Sequence, residues 1–425
     1  MEIALGVICL IVFLLGGLSV ALSLSLAGVV GLYLVGGMGL VSGILSATTL
    51  PAVSSYELST IPMFILMANL IIVSGVGDEL FDTASKWVGR VPGGLAYATS
   101  LTGAAFGAIS GSSTASAATL ASTTIPGMIK EGYEPNLAAG VVAISGTLSM
   151  LIPPSVAIVL YAIMVDESVG KLLVAGIIPG LLVTITISAT VFFLILLDPK
   201  RAPSGTSYSF KEKILSLRNT GAFVLLFLLV TGAIYTGVAT PTEASAFGAT
   251  GALFLAFWRG RWAQVGEAFI SAARTSCMIG FIIIGAHIFV YFLTMTQATQ
   301  GLITYVADTG APRELILLAV IVILLVLGCF MELISMLILT VPILFPLMTS
   351  LGYDPIWFGI LFIVVAEVGM VTPPLGLNVF VVASYSNIPA HQVFRGTFPH
   401  VIAHLIIILL LVLFPQIVLW LPSTM

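Results

Sequence analysis

Apolar stretches of about 20 residues recur along the whole chain, and short polar segments separate them. A helix of about 20 apolar residues is long enough to cross the hydrocarbon core of a bilayer, which is roughly 30 Å thick. The pattern therefore predicts an all-α polytopic membrane protein. The ten predicted crossings lie at 3–22, 24–48, 57–77, 138–165, 172–197, 220–239, 242–258, 275–297, 356–385 and 398–421.

Two further apolar stretches, 95–126 and 313–346, fit neither one crossing nor two. At about 1.5 Å per residue, a stretch of just over 30 residues is long for one helix and short for two crossings with a turn. We expect each to form a re-entrant hairpin, which enters the membrane and returns to the same side. A single long tilted helix is the alternative, which Gly103, Gly107 and Gly111 disfavour.

Composition excludes a soluble fold, because 59% of the residues are hydrophobic and only 8% are charged, against about 25% charged in soluble domains. A net charge of −4 without a basic block gives no support for nucleic-acid binding. Cys9, Cys277 and Cys329 lie in apolar segments without metal-ligand spacing, so we expect neither a disulfide nor a metal site from them.

The longest polar connection, 198–219, sets the orientation of the chain. It carries five basic residues, Lys200, Arg201, Lys211, Lys213 and Arg218. The positive-inside rule places such a loop in the cytoplasm. Alternation of the crossings then puts both termini in the periplasm, and the first hairpin enters from the cytoplasm and the second from the periplasm. Only Lys171 and Arg313 remain on the periplasmic side.

The chain contains an internal repeat. Residues 132–135 read Gly-Tyr-Glu-Pro, and 352–355, which lie 220 positions later, read Gly-Tyr-Asp-Pro. The same shift carries Pro153-Pro154 onto Pro373-Pro374. Each half has five crossings, an odd number, so the second copy enters from the opposite face, and inverted repeats hold a transport site at their interface. The predicted domains are 1–197, a cytoplasmic linker 198–219, and 220–421.

Hydroxyl-bearing and small residues cluster midway along the first hairpin, over 110–116. Irregular backbone at membrane depth survives only where it is buried in protein or lines a polar cavity. Such a tip offers carbonyl oxygens to a cation such as sodium and helix N-termini to a carboxylate. Close helix packing by small residues is the alternative interpretation.

The double prolines predict that crossings 138–165 and 356–385 are broken helices, because proline lacks an N–H group and disrupts the preceding turn. Gly/Pro interruptions at matching positions of two repeats indicate a transporter site. A proline kink without a ligand role is the alternative. Unwinding would free carbonyl groups between residues 146 and 152 in the first crossing.

Acidic residues within apolar surroundings are expensive and usually functional. Glu332 lies near the second hairpin tip, at the position that matches Ser112, and Glu367 lies just before the second break. Glu332 could bind a cation, carry a proton or brace the hairpin. We expect His287 to be a satisfied interhelical histidine, whereas Glu57 and Glu243 are expected to cap helices.

Several motifs together resemble one known family across essentially the whole chain. They are 62–69 followed by Ser74-Gly75, 110–115, 152–155, 240–244, and 371–376 followed by Asn378. In this order they are similar to the large membrane subunits of TRAP (tripartite ATP-independent periplasmic) transporters. The resemblance implies secondary uptake of an organic acid, such as a C4-dicarboxylate or sialic acid, at the bacterial inner membrane. It implies a sodium or proton gradient as the driving force and no cofactor other than the coupling ions.

The resemblance also implies partners and a mechanism. A periplasmic binding protein would deliver the substrate, and a small membrane subunit of four helices, as a separate chain, would brace this one. The family fold implies an elevator of the ion-transporter superfamily, in which a transport domain slides against a scaffold. Applied here, the scaffold helices would be 3–48 and 220–258, and the transport domain would comprise 57–165 and 275–385.

Site residues carried over from the family lie at the hairpin tips and the broken helices. One sodium site would comprise Ser110, Gly111, Ser112, Ser113, Gly146, Thr147 and Met150. A second would comprise Glu332, Ser335, Gly369 and Thr372. Substrate would lie within reach of Ser113, Thr114, Pro154, Pro374 and Asn378.

Other functions remain open at this stage. A stand-alone sodium-coupled anion symporter of related fold would need no binding protein. An ion channel is disfavoured, since paired broken helices in inverted repeats indicate alternating access. An intramembrane serine protease built on Ser110 lacks Gly-x-Ser-Gly spacing and a placed histidine base, and neither His-Glu-x-x-His nor a P-loop occurs. We therefore expect no enzymatic activity.

Overall fold

The computed structural model describes residues 2–203, 205 and 207–425, with the side chains of Ala108, Ile109 and Asn219 excepted. Over these residues the secondary structure is helical, without strands, as the sequence predicts. Four short 3₁₀ turns lie between α-helices, at Pro51–Val53, Glu57–Ser59, Leu148–Met150 and Pro199–Arg201, and a fifth, Pro422–Thr424, follows the last helix.

Ten α-helices form the first half of the chain. They are α1 (Glu2–Leu15), α2 (Val20–Thr48), α3 (Thr60–Val73), α4 (Val76–Val88), α5 (Gly94–Ser110), α6 (Ser113–Lys130), α7 (Pro135–Thr147), α8 (Val156–Val165), α9 (Val169–Ala175) and α10 (Ile177–Leu197). The double proline divides the predicted crossing 138–165 into α7 and α8, as expected.

The second half also contains ten α-helices. They are α11 (Phe210–Tyr235), α12 (Pro241–Trp258), α13 (Trp262–Met295), α14 (Ala298–Asp308), α15 (Arg313–Phe330), α16 (Leu333–Ser350), α17 (Pro355–Gly369), α18 (Leu377–Ser386), α19 (Ala390–Leu413) and α20 (Gln416–Leu419). Shifting α5 and α6 by 220 positions reproduces the bounds of α15 and α16 to within one residue. The helix ends thus repeat with the offset of the sequence motifs, while the inverted orientation of the two halves stays a prediction.

Both hairpins are pairs of helices, so the alternative of one long tilted helix is wrong. Gly111, with φ of +58°, separates α5 from α6. The hairpins run over 94–130 and 313–350 rather than 95–126 and 313–346, since α6 continues through Pro126 and α16 through Pro346. Neighbouring helices can re-satisfy the backbone groups that a membrane-embedded proline leaves free.

Among the described residues, six helical stretches are long and apolar enough to cross a membrane, and up to eight if bent helix pairs count as single spans. One of the six contains α2, which is kinked at Gly36 and Gly37, and another joins α9 and α10. The sequence predicts ten crossings, and two of them, 138–165 and 356–385, are pairs of short helices here. Helix α13 begins 13 residues before the predicted start at 275. At about 1.5 Å per residue its 34 residues span roughly 50 Å, more than a hydrocarbon core.

The linker expected at 198–219 is shorter in the structure, because α11 begins at Phe210. Ser209 and Glu212 form a capping box that starts this helix, in which each side chain satisfies a backbone N–H group of the other. Ser204 and Thr206 of the predicted linker lie outside the described residues.

The helices pack in two groups. Helices α1, α2, α3, α11, α12 and α13 form one, called here the α13 group, in which α2 lies along α13 and α3 against α12. Helices α5–α8, α10 and α15–α19 form the other, the hairpin group, in which α19 packs on α7 and α6 on α18.

This grouping differs from the division that the family resemblance implies, which assigns all of 57–165 and 275–385 to the transport domain. Helices α3 and α13 belong to those ranges but pack mainly in the α13 group. Small residues explain the close approach of α13 to α2. A Cβ atom on Gly285 would lie 2.6 Å from the carbonyl oxygen of Ala21, and one on Gly28 would lie 2.9 Å from the backbone nitrogen of Phe289.

Candidate functional site

The first hairpin tip is a tight turn between two helix ends. Helix α5 ends at Ser110, Gly111 takes the left-handed conformation, and Ser112 is the N-cap of α6. The Ser112 hydroxyl accepts a hydrogen bond from the backbone N–H of Ala115 at 3.4 Å, and the Ser110 hydroxyl donates to the Ser112 carbonyl at 3.2 Å. The tip therefore collects hydroxyl and carbonyl oxygens beside the N-terminus of α6.

The first broken helix lies against this hairpin. A Cβ atom on Gly146 would lie 2.8 Å from the Cβ of Ala117, so only glycine allows α7 and α6 to approach so closely. The Gly146 carbonyl accepts from the Ser149 hydroxyl at 2.8 Å, and the Met150 carbonyl accepts from the Ser155 hydroxyl. The Gly146 carbonyl also accepts from the Leu148 N–H. Because a carbonyl oxygen has two lone pairs, the Met150 carbonyl can still coordinate a cation.

Thr147 contributes its hydroxyl differently. That hydroxyl donates to the Ile144 carbonyl at 2.8 Å within α7, and the side chain is buried. Its oxygen keeps a free lone pair, as every hydroxyl donor does. The structure thus brings Gly146 close to the backbone of the first hairpin, while Thr147 and Met150 follow it at the end of α7 and in the 3₁₀ turn.

The second hairpin tip has the same plan with fewer hydroxyl groups. Helix α15 ends at Phe330, and Glu332 is the N-cap of α16, which matches the position of Ser112 in the first hairpin. Ser335 lies in the first turn of α16. Glu332 therefore places a carboxylate at a helix N-terminus, where the backbone N–H groups and the helix dipole favour negative charge.

The second broken helix contacts this hairpin backbone to backbone. A Cβ atom on Gly369 would lie 2.7 Å from the Cα of Gly328. The Thr372 hydroxyl donates to the Val368 carbonyl at 2.6 Å. Each hairpin thus lies against the broken helix of its own half, and Gly146 and Gly369 are two of the positions where the backbones approach closely.

A contact between the halves joins the first tip to the second break. The Ser113 hydroxyl, fully buried, donates to the sulfur of Met370 at 3.7 Å. The Asn378 N–H donates to the Met370 carbonyl at 3.2 Å. The Asn378 side chain is also fully buried, and neither its oxygen nor its nitrogen has a hydrogen-bond partner among the described residues.

The residues predicted to bind substrate do not all share this environment. Thr114 lies next to Ser113, and its hydroxyl is 3.2 Å from that of Ser112. Pro154 is buried at the first break, whereas Pro374 is exposed at the second. The structure brings Ser113 and Asn378 to the same residue, Met370, and no comparable contact links the two prolines.

The sequence interpretation missed several contributors to the site. Met370, which the shift of 220 positions relates to Met150, is not among the predicted site residues, yet it contacts Ser113 of the first half and Asn378 of the second. The Cys329 thiol donates to the Pro373 carbonyl at 3.3 Å, and the Cys329 carbonyl accepts from the Gly376 N–H at 3.1 Å. An apolar segment with one cysteine gives no signal for such a role, and the repeat offset alone could have directed attention to Met370.

Several buried polar side chains lie on α17 and α19 behind the second break. Trp357 donates to the Leu411 carbonyl at 2.9 Å and Thr397 to the Val371 carbonyl at 3.3 Å, so the two helices run antiparallel. By this register Glu367 lies at the level of His400. Both side chains are buried and lack hydrogen-bond partners among the described residues.

The remaining polar predictions have mixed outcomes. Glu243 forms a capping box with Thr240 at the start of α12, which confirms its predicted role. His287 is not a satisfied interhelical residue, since it is exposed and lines a cavity. That residue faces open space because α13 borders the gap between the two helix groups.

The cavity has a volume of about 680 Å³ and lies between the α13 group and the hairpin group. Its apolar wall includes Ile283 from α13 and Val341 and Phe345 from α16. Its titratable lining residues are Glu57, Asp166, His287 and Tyr291. The cavity is separate from the hairpin tips, because none of the predicted site residues lines it.

Among the described residues, no cluster of three or more His, Cys, Asp or Glu side chains could hold a metal ion, and the three cysteines are free. The oxygen donors at the tips are carbonyl and hydroxyl groups with at most one carboxylate. Such a donor set fits a hard cation better than a transition metal.

Comparison with known proteins agrees with the arrangement. Residues 7–417 match the protein family described as the tripartite ATP-independent periplasmic transporter, DctM component. The C4-dicarboxylate TRAP transporter large permease protein DctM of Pseudomonas aeruginosa is 36% identical over 371 residues, which cover 87% of this chain and 86% of that protein. The DctM protein of Vibrio cholerae is 32% identical over 447 residues, which cover 100% of this chain and 98% of that protein.

Two further proteins extend the comparison. The sialic acid TRAP transporter large permease protein SiaM of Vibrio cholerae is 31% identical and covers 88% of each chain. The crystal structure of the Alcanivorax borkumensis YdaH transporter superposes with a TM-score of 0.63 over 89% of this chain and 90% of that one, at 16% identity. That structural likeness supports the fold alone. The chain therefore belongs to the DctM, or large permease, family of TRAP transporters, as a multi-pass membrane transport component and not an enzyme.

Proposed function

We propose that this large permease carries out secondary active uptake of an organic acid, coupled to a sodium gradient and dependent on a periplasmic substrate-binding protein. The observation that carries the proposal is the packing of each hairpin tip against the broken helix of its own half, at Gly146 and at Gly369. Relatives of this chain are described as C4-dicarboxylate and sialic acid permeases. The substrates named for those relatives carry carboxylate groups, which supports an organic acid as the substrate of this chain.

The first sodium ion binds between the first hairpin and α7. Carbonyl and hydroxyl oxygens of Ser110, Gly111, Ser112 and Ser113 supply one side, and Gly146, Thr147 and Met150 supply the other. Support comes from the turn at Gly111 and from the Met150 carbonyl, which accepts a hydrogen bond from the Ser155 hydroxyl and has a second lone pair.

The second sodium ion binds between the second hairpin and α17, with Glu332, Ser335, Gly369 and Thr372 as ligands. The N-cap position of Glu332 and the backbone contact at Gly369 support this assignment. The site has fewer hydroxyl groups than the first, and a carboxylate compensates for them with its charge.

Substrate binds between the tips, near Ser113, Thr114 and Asn378, with Pro154 and Pro374 shaping the breaks on either side. The unpartnered amide of Asn378 can donate to a carboxylate oxygen. The N-terminus of α6, which begins at Ser113, offers further N–H groups to an anion.

Transport proceeds by an elevator motion, in which the hairpin group moves against the α13 group. The two halves are inverted repeats, and both termini lie in the periplasm. A small four-helix membrane subunit braces the α13 group. No cofactor is required other than the coupling ions.

Uptake of radiolabelled organic acids into proteoliposomes tests the proposal. The vesicles contain this chain and its small subunit, with and without the binding protein, under an imposed sodium gradient. We expect uptake to require both the binding protein and sodium, and to fall in Ser112→Ala and Glu332→Ala. Ser122→Ala, an exposed position further along α6, is the matched control and should transport normally.

The alternative is a stand-alone sodium-coupled anion symporter of related fold. Sodium-driven uptake at the full rate without any binding protein would favour it. Uptake driven only by a proton gradient would overturn the assignment of the coupling ion.

A further inference from the structure

Helix α14 has a polar face that no other part of the described chain covers. None of its residues is buried. Leu302, Ile303 and Val306 are half-buried, and the opposite face is exposed and polar. That exposed face carries Gln300, Thr304, Tyr305 and Asp308, with the small residues Gly301 and Ala307 between them, and Tyr305 is 70% exposed.

The matching helix of the first half is covered. The shift of 220 positions relates α14 to α4, which packs against the first turns of α11. The Thr83 hydroxyl donates to the Ser216 carbonyl at 3.1 Å, and the Trp87 ring N–H donates to the Lys213 carbonyl at 3.2 Å. Helix α14 packs mainly on α13 and α16 and receives no such cover.

The uncovered helix also contributes one residue to the wall of the cavity. Thr299, in the first turn of α14, lines the cavity of about 680 Å³ together with Glu57 and Asp166. Asp308 forms no ion pair with any described residue. Asp308 itself does not line the cavity; the lining contains the two carboxylates of Glu57 and Asp166, one histidine and no lysine or arginine.

We propose that the outer face of α14 and the adjoining acidic rim, together called the α14 face, form the docking surface for the periplasmic binding protein. The inference rests on the proposed function, which supplies the partner and places this side in the periplasm. An acidic rim selects a partner with a surface rich in lysine and arginine, because complementary charge favours encounter and suppresses wrong partners. Tyr305 provides the aromatic anchor that protein interfaces favour.

Docking here places the binding protein beside the cavity between the two helix groups. A lipid is a poorer occupant, because the only large apolar group on the outer face of α14 is the tyrosine ring. A partner bound to α14 would also lie beside the boundary between the hairpin group and the α13 group. Docking at this position could therefore influence the motion of one group against the other.

Two variants test the proposal in proteoliposomes that contain the chain and its small subunit. Asp308→Lys reverses a charge, and Tyr305→Ala removes the aromatic side chain. We expect each to raise the binding-protein concentration for half-maximal uptake about fivefold or more, with the maximal rate unchanged. Added salt should also weaken docking of the unsubstituted chain more than that of Asp308→Lys, since salt screens exposed charges.

Asp78→Lys is the matched control. Asp78 is an exposed carboxylate on α4, the repeat mate of α14, and it forms no ion pair with any described residue. In the proposed orientation Asp78 faces the cytoplasm, so the binding-protein concentration for half-maximal uptake should not change in Asp78→Lys.

A photoactivatable side chain at the exposed position, in a Tyr305→benzoylphenylalanine variant, identifies the occupant directly. Cross-linking to the binding protein supports the proposal, whereas cross-linking only to the small subunit or to lipid overturns it. The proposal is also overturned if uptake still depends on the binding protein but neither Asp308→Lys nor Tyr305→Ala changes the binding-protein concentration for half-maximal uptake. Uptake that needs no binding protein at all contradicts the proposed function instead.

Discussion

Replacing Gly369 with alanine tests how the second hairpin and the second broken helix form a sodium site. A Cβ atom there would lie 2.7 Å from the Cα of Gly328, 2.8 Å from the carbonyl oxygen of Leu325 and 2.9 Å from the carbonyl carbon of Gly328. All three are backbone atoms, so no side chain can rotate away. Because ordinary contacts are about 3.5–4.0 Å, α15 must retreat by roughly 1 Å.

The size of the effect follows from the cost of overpacking, which is about 1–3 kcal/mol for one methyl group in a close-packed site. If the sodium-bound state requires the close approach and the sodium-free state can relax, this cost weakens sodium binding. Since 1.4 kcal/mol corresponds to a factor of ten, the sodium concentration for half-maximal uptake should rise between about 5-fold and 150-fold.

The assay measures initial uptake rates in proteoliposomes over a range of sodium concentrations. Gly127→Ala is the control, because a Cβ atom at this α6 position meets nothing within 4 Å. Thermal denaturation of the purified protein verifies folding. If Gly369→Ala does not fold, Gly146→Ala puts the same question to the first site. A folded Gly369→Ala with an unchanged sodium requirement would refute the reasoning.

Three further predictions concern other parts of the site and its surroundings. Asn378→Leu should raise the KM for substrate while leaving the melting temperature unchanged or higher, because leucine removes a buried amide that has no partner among the described residues; a normal KM would argue against a substrate role. Tyr133→Phe should destabilise the base of the first hairpin by about 1–3 kcal/mol, since the Tyr133 hydroxyl accepts a 3.0 Å hydrogen bond from the Leu95 N–H. Denaturant unfolding against the wild type measures this, and an unaltered midpoint would contradict it. The backbone N–H and hydroxyl of Ser209 lower the pKa of Glu212 below its usual range. The stabilisation of the start of α11 by this carboxylate is therefore present above the ordinary pKa of glutamate and is lost as pH falls through the lowered value. Hydrogen exchange of the first backbone amides of α11 should accelerate at acidic pH in the wild type, and the Glu212→Gln variant should not show this acceleration.

Local sequence signals predicted those parts of the fold that depend on local chemistry. The double prolines fixed both helix breaks, and the Gly111 turn separates the arms of the first hairpin, as its glycine and hydroxyl residues suggested. Thr240 and Glu243 form the predicted cap. In each case the residue that carries the signal also determines the backbone conformation.

The parts that sequence reasoning missed depend on tertiary packing. The extension of α13 to Trp262 and the continuation of α16 through Pro346 are not visible in hydrophobicity, because packing against neighbouring helices decides where those helices end. Met370 and Cys329 acquire their contacts only when distant segments meet. The exposure of His287 follows from the gap beside α13, which no local pattern encodes.

The contact between Ser113 and Met370 joins residues that are 257 positions apart. Ribosomes make the chain from its N-terminus at about 5–20 residues per second, so the first hairpin emerges well before the segment that completes its surroundings. Its polar tip must wait in the bilayer, or beside the insertion machinery, until the second broken helix has been synthesised. A chain truncated before Met370 therefore keeps the Ser113 hydroxyl without this partner, and this feature distinguishes it from a complete chain during biogenesis.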